Sequence, residues 1–212
     1  MIVESVNAAH DSRVLRVGAR EVTTGIAKLP VGRARIGVLG LEGDVVADQE
    51  NHGGADQAVY LYSREDYAWW EAETGEPHPA GTFGENVTVS DFGGEVRVGD
   101  RFRVGGVLLE ATAPRIPCGV FAAHVRRAEW VKRFAASRRV GVYTRVLEPG
   151  EVAAGDAVEH LGGGDGHPTI AELVDVWYAQ DTAPEVLERA LRAPLAARLR
   201  AALERRLARA AA

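Results

Sequence analysis

At Gly162-Gly163-Gly164-Asp165-Gly166-His167 the chain changes grammar, and this break limits the folds open to it more than any other feature. Before it, short apolar runs rich in strand-favouring residues alternate with Gly- and Pro-containing turns. After it, the apolar spacing becomes helical. The pattern predicts a mostly β body with a few helices over 1–161, a Gly-rich linker over 162–167, and a small three-helix domain over 168–212. With 212 residues, 46% of them apolar, the chain can bury a real core and is not composed like a disordered segment.

In the body, Ile2–Val6, Val14–Val17 and Val87–Val89 read as strands. Gln57–Tyr62 is another, and it runs straight into a helix start. Ser63 can cap that helix, Glu65 and Asp66 suit the positive end of its dipole, and Gly75 and Pro77 should stop it. Val96–Glu110 reads as a hairpin, turning at Gly99-Asp100 and again at Gly105-Gly106 before Val107–Ala111. Val120–Ser137 reads as one helical stretch, with apolar residues at 121, 125, 130, 131 and 134. Val140–Leu147 and Ala157–Leu161 return as strands. Val98-Gly99-Asp100 and Ala154-Gly155-Asp156 each precede a strand and are candidates for paired corner turns.

In the tail, Thr169 with Glu172 makes a capping box, Pro184 occupies a first helical position, and Pro194 starts a third helix. Leu191, Leu195, Leu199, Leu203 and Leu207 form an i, i+4 stripe. From Glu185 onward, seven arginines against three glutamates give the tail +4, leaving −9 on the rest of a chain whose net charge is −5. A docked helical cap with a solvated arginine face is the simplest reading; a helix for a partner or an anionic surface is the alternative.

Cys118 is the single cysteine, which excludes an intrachain disulfide framework, a Cys-rich zinc module, a CxxC redox pair and an iron–sulfur cluster. Lys28 and Lys132 are the two lysines, so the cationic chemistry is almost wholly arginine, whose planar fork suits phosphate and carboxylate. Net acidity argues against nonspecific nucleic-acid binding. The N-terminus lacks a basic region followed by a long apolar one, and no apolar run approaches the ~20 residues that span a bilayer. A soluble, cytoplasmic protein is expected.

The chemistry-bearing candidates are few. Cys118 sits in Pro114-Arg115-Ile116-Pro117-Cys118-Gly119, between a strand and a helix, where the helix dipole and Arg115 would favour thiolate. The ordinary role of a lone cysteine is that of a small buried hydrophobe. Gly40-Leu41-Glu42-Gly43-Asp44 and Asn51-His52-Gly53-Gly54-Ala55-Asp56 are glycine-flanked polar loops that match no nucleotide fingerprint but can present backbone N–H groups to an anion. Phe83-Gly84-Glu85-Asn86 brings an amide and a carboxylate to a loop–strand junction. No histidine pair has zinc spacing. Cys118 with His52 or His124 leaves a thiol–imidazole hydrolase formally open.

These segments, in this order, resemble the MOSC domain family, and within it the YiiM-type branch. The likeness runs through Gly40–Asp44, His52-Gly53-Gly54 with Asp56, Tyr62–Glu65 with Tyr67 and Trp70, Phe83–Asn86, Gly99-Asp100 and Pro114–Cys118. It covers roughly 1–161, and the tail is similar to the branch's three-helix domain. Ala55 departs from the family's usual proline, and the tail is short. The resemblance implies a β-barrel-like fold holding a molybdenum cofactor (molybdenum–molybdopterin). Cys118 would be the metal ligand and catalytic residue. Arg115 would meet the pterin phosphate, helped by Gly43, Gly53 and Gly54, while His52, Asp56, Glu85 and Asn86 would hydrogen-bond pterin or substrate. The implied activity is reduction of N-hydroxylated compounds, such as hydroxylaminopurine bases, to amine and water, a detoxification that needs no pyridoxal phosphate. Electrons would come from a separate reductase. Neither a membrane nor a nucleic-acid polymer is expected as partner, and a homodimer is compatible with the likeness. A cofactor carrier or sulfur-transfer module without turnover remains the alternative.

Overall fold

The computed structural model describes residues 1–48, 52–92 and 95–210. Asn51, read as the start of the second polar loop, lies outside the described residues, as do Ala211 and Ala212. The body carries β1 (Ile2–Ala8), β2 (Arg13–Val17), β3 (Arg20–Thr24), β4 (Leu29–Pro30), β5 (Arg33–Gly37) and β6 (Gly40–Leu41). A short 3-10 turn (Ala55–Gln57) then leads to β7 (Val59–Ser63), α1 (Arg64–Thr74) and β8 (Val87–Ser90). There follow β9 (Arg101–Val104), β10 (Val107–Pro114), α2 (Gly119–His124), α3 (Trp130–Ser137), β11 (Val142–Glu148), β12 (Gly150–Ala153) and β13 (Val158–Gly162).

Eight strands form one sheet in the order β13-β9-β10-β11-β7-β8-β1-β4. Its ladder is not closed, so the barrel expected from the family likeness is an open one. Its two sides nevertheless meet at a seam: Ile2 bridges Ala157, the Val3 amide donates to the Asp156 carbonyl at 2.9 Å, and the Val158 amide to Met1 at 3.0 Å. The expected corner turns flank this architecture as a matched pair. Gly99 and Gly155 take φ of 90° and 91°, and Asp100 and Asp156 each accept the amide three residues back through Oδ2, at 2.8 Å in both cases.

Ser63 caps α1 as its sequence predicts, its side chain accepting the amides of Glu65 and Asp66, and Gly75 ends the helix at φ 68°. The α1 helix carries Trp70 and Tyr67 into an aromatic core with Phe83, Phe121, Trp130 and Phe134; Trp70 stacks on Trp130 with centroids 4.8 Å apart. Burying rings of this size supplies much of the apolar driving force for the body.

That core explains why the single helix expected over 120–137 is two. In a continuous helix at 100° per residue, Phe121 and Trp130 would point in opposite directions. The chain instead turns at Arg126 (φ 58°), and both rings are buried in one cluster. Val96-Arg97-Val98 also departs from expectation. It does not pair with β9 but with the linker region: Val98 donates to Pro168 at 3.1 Å, and Ile170 to Val96 at 2.9 Å.

The helical domain holds α4 (Ile170–Tyr178), α5 (Pro184–Leu191) and α6 (Ala197–Ala210). Thr169 and Glu172 form the predicted capping box. Pro194 does not start the third helix. The carbonyls of Pro194 and Leu195, which a helix from that point would need, instead accept Arg145 Nη2 at 3.2 and 3.4 Å. Leu199, Leu203 and Leu207 therefore share α6, while Leu191 and Leu195 lie outside it.

Candidate functional site

β10 ends at Pro114, and Arg115–Cys118 crosses to α2, whose N-cap is Cys118 in extended geometry (φ −129°, ψ 174°). The thiol meets a residue far away in sequence: Cys118 Sγ lies 3.8 Å from His52 Nε2. The other ring nitrogen of His52 faces the Tyr143 hydroxyl on β11 at 3.4 Å. Burial alone would raise the Cys118 pKa, but the contact with His52 and the Arg115 guanidinium outweigh it and hold the thiol at about 6. The group is thus largely thiolate at neutral pH.

Arg115 is 3% exposed, and its guanidinium sits 4.5 Å over the Phe121 ring. No carboxylate pairs with it among the described residues, and its buried Nη1 has no hydrogen-bond partner. Gln57 Oε1 is a second buried polar atom without one. Both side chains line the same cavity as Cys118, His52 and Tyr143. Buried donors and acceptors are ordinarily satisfied, so two unmet ones in one cavity wall point to a ligand with polar groups there.

The same cavity is also lined by a buried ionic knot. Asp44 pairs with Lys28 and accepts the Ala9 amide at 2.8 Å and Asn86 Nδ2 at 2.9 Å. Asn86 in turn accepts the Tyr60 amide through Oδ1 at 3.1 Å. Burial pushes the Lys28 ammonium below its ordinary value, and Asp44 partly restores it. Gly53 lies where a Cβ would come within 2.8 Å of Val46, at φ 92°, so the His52 loop needs glycine there. A second cavity opens on the other side of Cys118, sharing His52, Gln57 and Tyr143 with the first.

The structure therefore brings together Cys118, Arg115, His52, Gly53 and Asn86 of the residues proposed from sequence. It separates the others. Asp56 turns away from the cavity to pair with Arg145 at 2.9 Å and to accept the Ala197 amide of α6 at 2.9 Å. Glu85 is fully buried behind the wall, its Oε1 accepting from Tyr67 (2.6 Å), Gly81 (2.6 Å) and Thr88 (2.9 Å). Gly43 and Gly54 shape turns that do not line the cavity. Lys28, Asp44, Gln57, Tyr60 and Tyr143 were missed. Lys28 did carry a signal, as one of two lysines in an arginine-dominated chain, and Asp44 closes the glycine-flanked loop Gly40–Asp44. Tyr143 sits in an ordinary-looking strand and carried none. Among the described residues, no group of three or more His, Cys, Asp or Glu could hold a metal, so a metal here would have to arrive with ligands of its own beyond Cys118.

An open β sheet around a thiolate at the mouth of two cavities, with a helical appendage, defines a class. The chain belongs to the MOSC domain family, which it matches over residues 48–159. Residues 168–210 match the YiiM-like, 3-alpha helix domain, so the chain has the YiiM arrangement of the two parts. "Uncharacterized protein YflK" of Bacillus subtilis is 36% identical over 158 residues, 72% of this chain and 70% of that one. "Protein YiiM" of Escherichia coli is 35% identical over 139 residues, 63% and 62% of the two chains. A protein of Gibberella moniliformis named "Reductase" is 34% identical over 151 residues, which is 66% of this chain and 26% of that longer one. The crystal structure of YiiM from Geobacillus stearothermophilus superposes with TM-score 0.78 at 27% identity, over 97% of this chain and 98% of the other. No helix among the described residues is long and apolar enough to cross a membrane.

Proposed function

We propose that this protein holds a molybdenum cofactor at Cys118 and reduces N-hydroxylated compounds to amines, with electrons from a separate reductase in the cytoplasm. MOSC domains are generally molybdenum-cofactor-binding, and the Gibberella relative's name supports reductive chemistry. The observation that carries the reading is the Cys118 thiol, held at about 6 and lining both cavities, beside a buried Arg115 with an unmet Nη1. A thiolate is a fit ligand for a soft, high-valent metal, and a buried guanidinium fits the terminal phosphate of a pterin.

Bound there, the cofactor would supply the two-electron redox chemistry, while the chain supplies position and protons. Cys118 would ligate the metal, and Arg115 would neutralise the phosphate. The Lys28–Asp44–Asn86 wall would present Asn86 and the Lys28 ammonium to the pterin's polar edge. His52, oriented by Tyr143, can hold a proton at Nε2 beside the thiolate.

The test is turnover. Protein purified from a cofactor-competent host should convert an N-hydroxylated purine to the aminopurine when supplied with an artificial electron donor. Protein that contains molybdenum and reduces no N-hydroxylated substrate with any donor would be a cofactor carrier instead, and the proposal would be wrong.

A further inference from the structure

Gln57 closes the 3-10 turn Ala55–Gln57 just before β7 and lines both cavities, together with Cys118, His52 and Tyr143. Its Oε1 is buried and has no hydrogen-bond partner. Arg115 Nη1, an unmet donor, lines the first cavity too, yet the two do not bond each other. Each is therefore left to meet a group from outside the chain, since buried polar atoms are ordinarily satisfied.

The turn that carries Gln57 is clamped by three elements. The Asp56 carbonyl accepts Thr112 Oγ1 of β10 at 2.6 Å. The Asp56 carboxylate accepts Arg145 Nε of β11 at 3.0 Å and the Ala197 amide of α6 at 2.9 Å. The Gln57 amide itself donates to the Gly54 carbonyl at 3.1 Å. These bonds turn Asp56 away from the cavity, and they also fix where the next side chain stands.

An amide oxygen only accepts, so the group that meets Oε1 must bring a hydrogen. Arg115, Lys28 and Asn86 line the first cavity alone, whereas Gln57 stands with Cys118 on the wall that both cavities share, which the reacting end of a substrate must reach. In an N-hydroxylated purine that end carries an O–H in both its amino and imino tautomers. We infer that Gln57 is a specificity-determining residue whose Oε1 accepts the O–H of the substrate's N-hydroxyl group beside Cys118. The inference rests on the reductase reading, which supplies the substrate class.

Equilibrium dialysis tests this on protein purified from a cofactor-competent host, with no electron donor present so that no ligand is consumed. The probes are 6-hydroxylaminopurine, 6-methoxyaminopurine, which has the same tautomers but no O–H, and adenine, which lacks the oxygen. Wild type should bind the hydroxylamino compound at least tenfold more tightly than either of the others, because they leave the buried acceptor unmet. Gln57→Leu should cut that preference to twofold or less, and Gln57→Glu, which keeps an acceptor oxygen, should retain most of it. Molybdenum per chain should stay at the wild-type level in Gln57→Leu. No preference in wild type, or the same preference in wild type and Gln57→Leu, would overturn the inference. So would loss of molybdenum from Gln57→Leu, which would place Gln57 against the cofactor. If the preference behaves as expected but no N-hydroxylated compound is reduced with any donor, the reductase reading falls while the Gln57 contact stands.

Discussion

Cys118 Sγ and His52 Nε2 face each other at 3.8 Å, although 66 residues separate them in the chain. The contact ties the loop before β7 to the N-terminus of α2, and it helps to hold the thiol at about 6 against the upward push of burial. In cofactor-free protein, the rate of Cys118 alkylation should therefore rise with pH through a midpoint near 6. His52→Ala should move that midpoint upward by a unit or more. Tyr143→Phe, which removes the hydroxyl facing His52 Nδ1, should move it less. An unshifted midpoint in His52→Ala would contradict the role given to the imidazole.

Glu85 is where sequence and structure part most clearly, and it has its own pH signature. Burial raises its pKa above the ordinary 4.5, although hydrogen bonds from Tyr67, Gly81 and Thr88 oppose the shift. Because the folded value is raised, the native state holds the proton more tightly than the unfolded chain. Its contribution to stability is full below about 4.5 and is lost as pH rises toward the folded value. Glu85→Gln should flatten this slope, so its urea midpoint should gain on wild type as pH rises from 4.5. Its cofactor content should stay at the wild-type level, since Glu85 does not line the cavity.

Arg145 joins the helical domain to the sheet. It pairs with Asp56 at 2.9 Å and Glu110 at 3.1 Å and binds the carbonyls of Pro194 and Leu195. Arg145→Ala strips one partner from each of two partly buried carboxylates, Asp56 and Glu110, and removes the guanidinium that the Pro194 and Leu195 carbonyls accept. It should cost about 2–4 kcal/mol in urea unfolding. It should also speed proteolysis between β13 and α4, which a merely superficial ion pair would not.

The glycine-rich linker is folded against the body rather than free. Gly164 donates to Asp100 Oδ1 at 2.9 Å, and a Cβ there would meet Arg97 Cβ at 2.7 Å and the Val98 carbonyl at 2.8 Å. Gly164→Ala should lower stability by roughly 1–3 kcal/mol through overpacking. Gly166 has open space around it and only a positive φ of 77° to satisfy, so Gly166→Ala should cost about 1 kcal/mol. Thermal or urea unfolding of the two variants separates these causes.

Local signals in the chain were reliable where the physics is local. Ser63 and the Thr169–Glu172 box cap their helices because a cap is decided within a few residues. Cys118 was legible from its prolines and its strand–helix setting. The carboxylates at 56 and 85 were not, because composition shows that a side chain is polar but not which way it points. Asp56 is drawn to Arg145, 89 residues on, and Glu85 to Tyr67 behind the wall. The break at Arg126 was hidden for a similar reason: spacing within each half is helical, and only the shared aromatic core shows that one rod cannot bury both faces. Tyr143 and Lys28 join the site through strand register and a salt bridge, which no single stretch of sequence displays.

The central claim is that one sulfur atom holds the metal. Molybdenum should therefore be quantified by elemental analysis in wild type and Cys118→Ala, both purified from a cofactor-competent host and both shown to be folded. The account predicts close to one molybdenum per chain in wild type and a loss of at least tenfold in the variant. Equal molybdenum in the two proteins would contradict it.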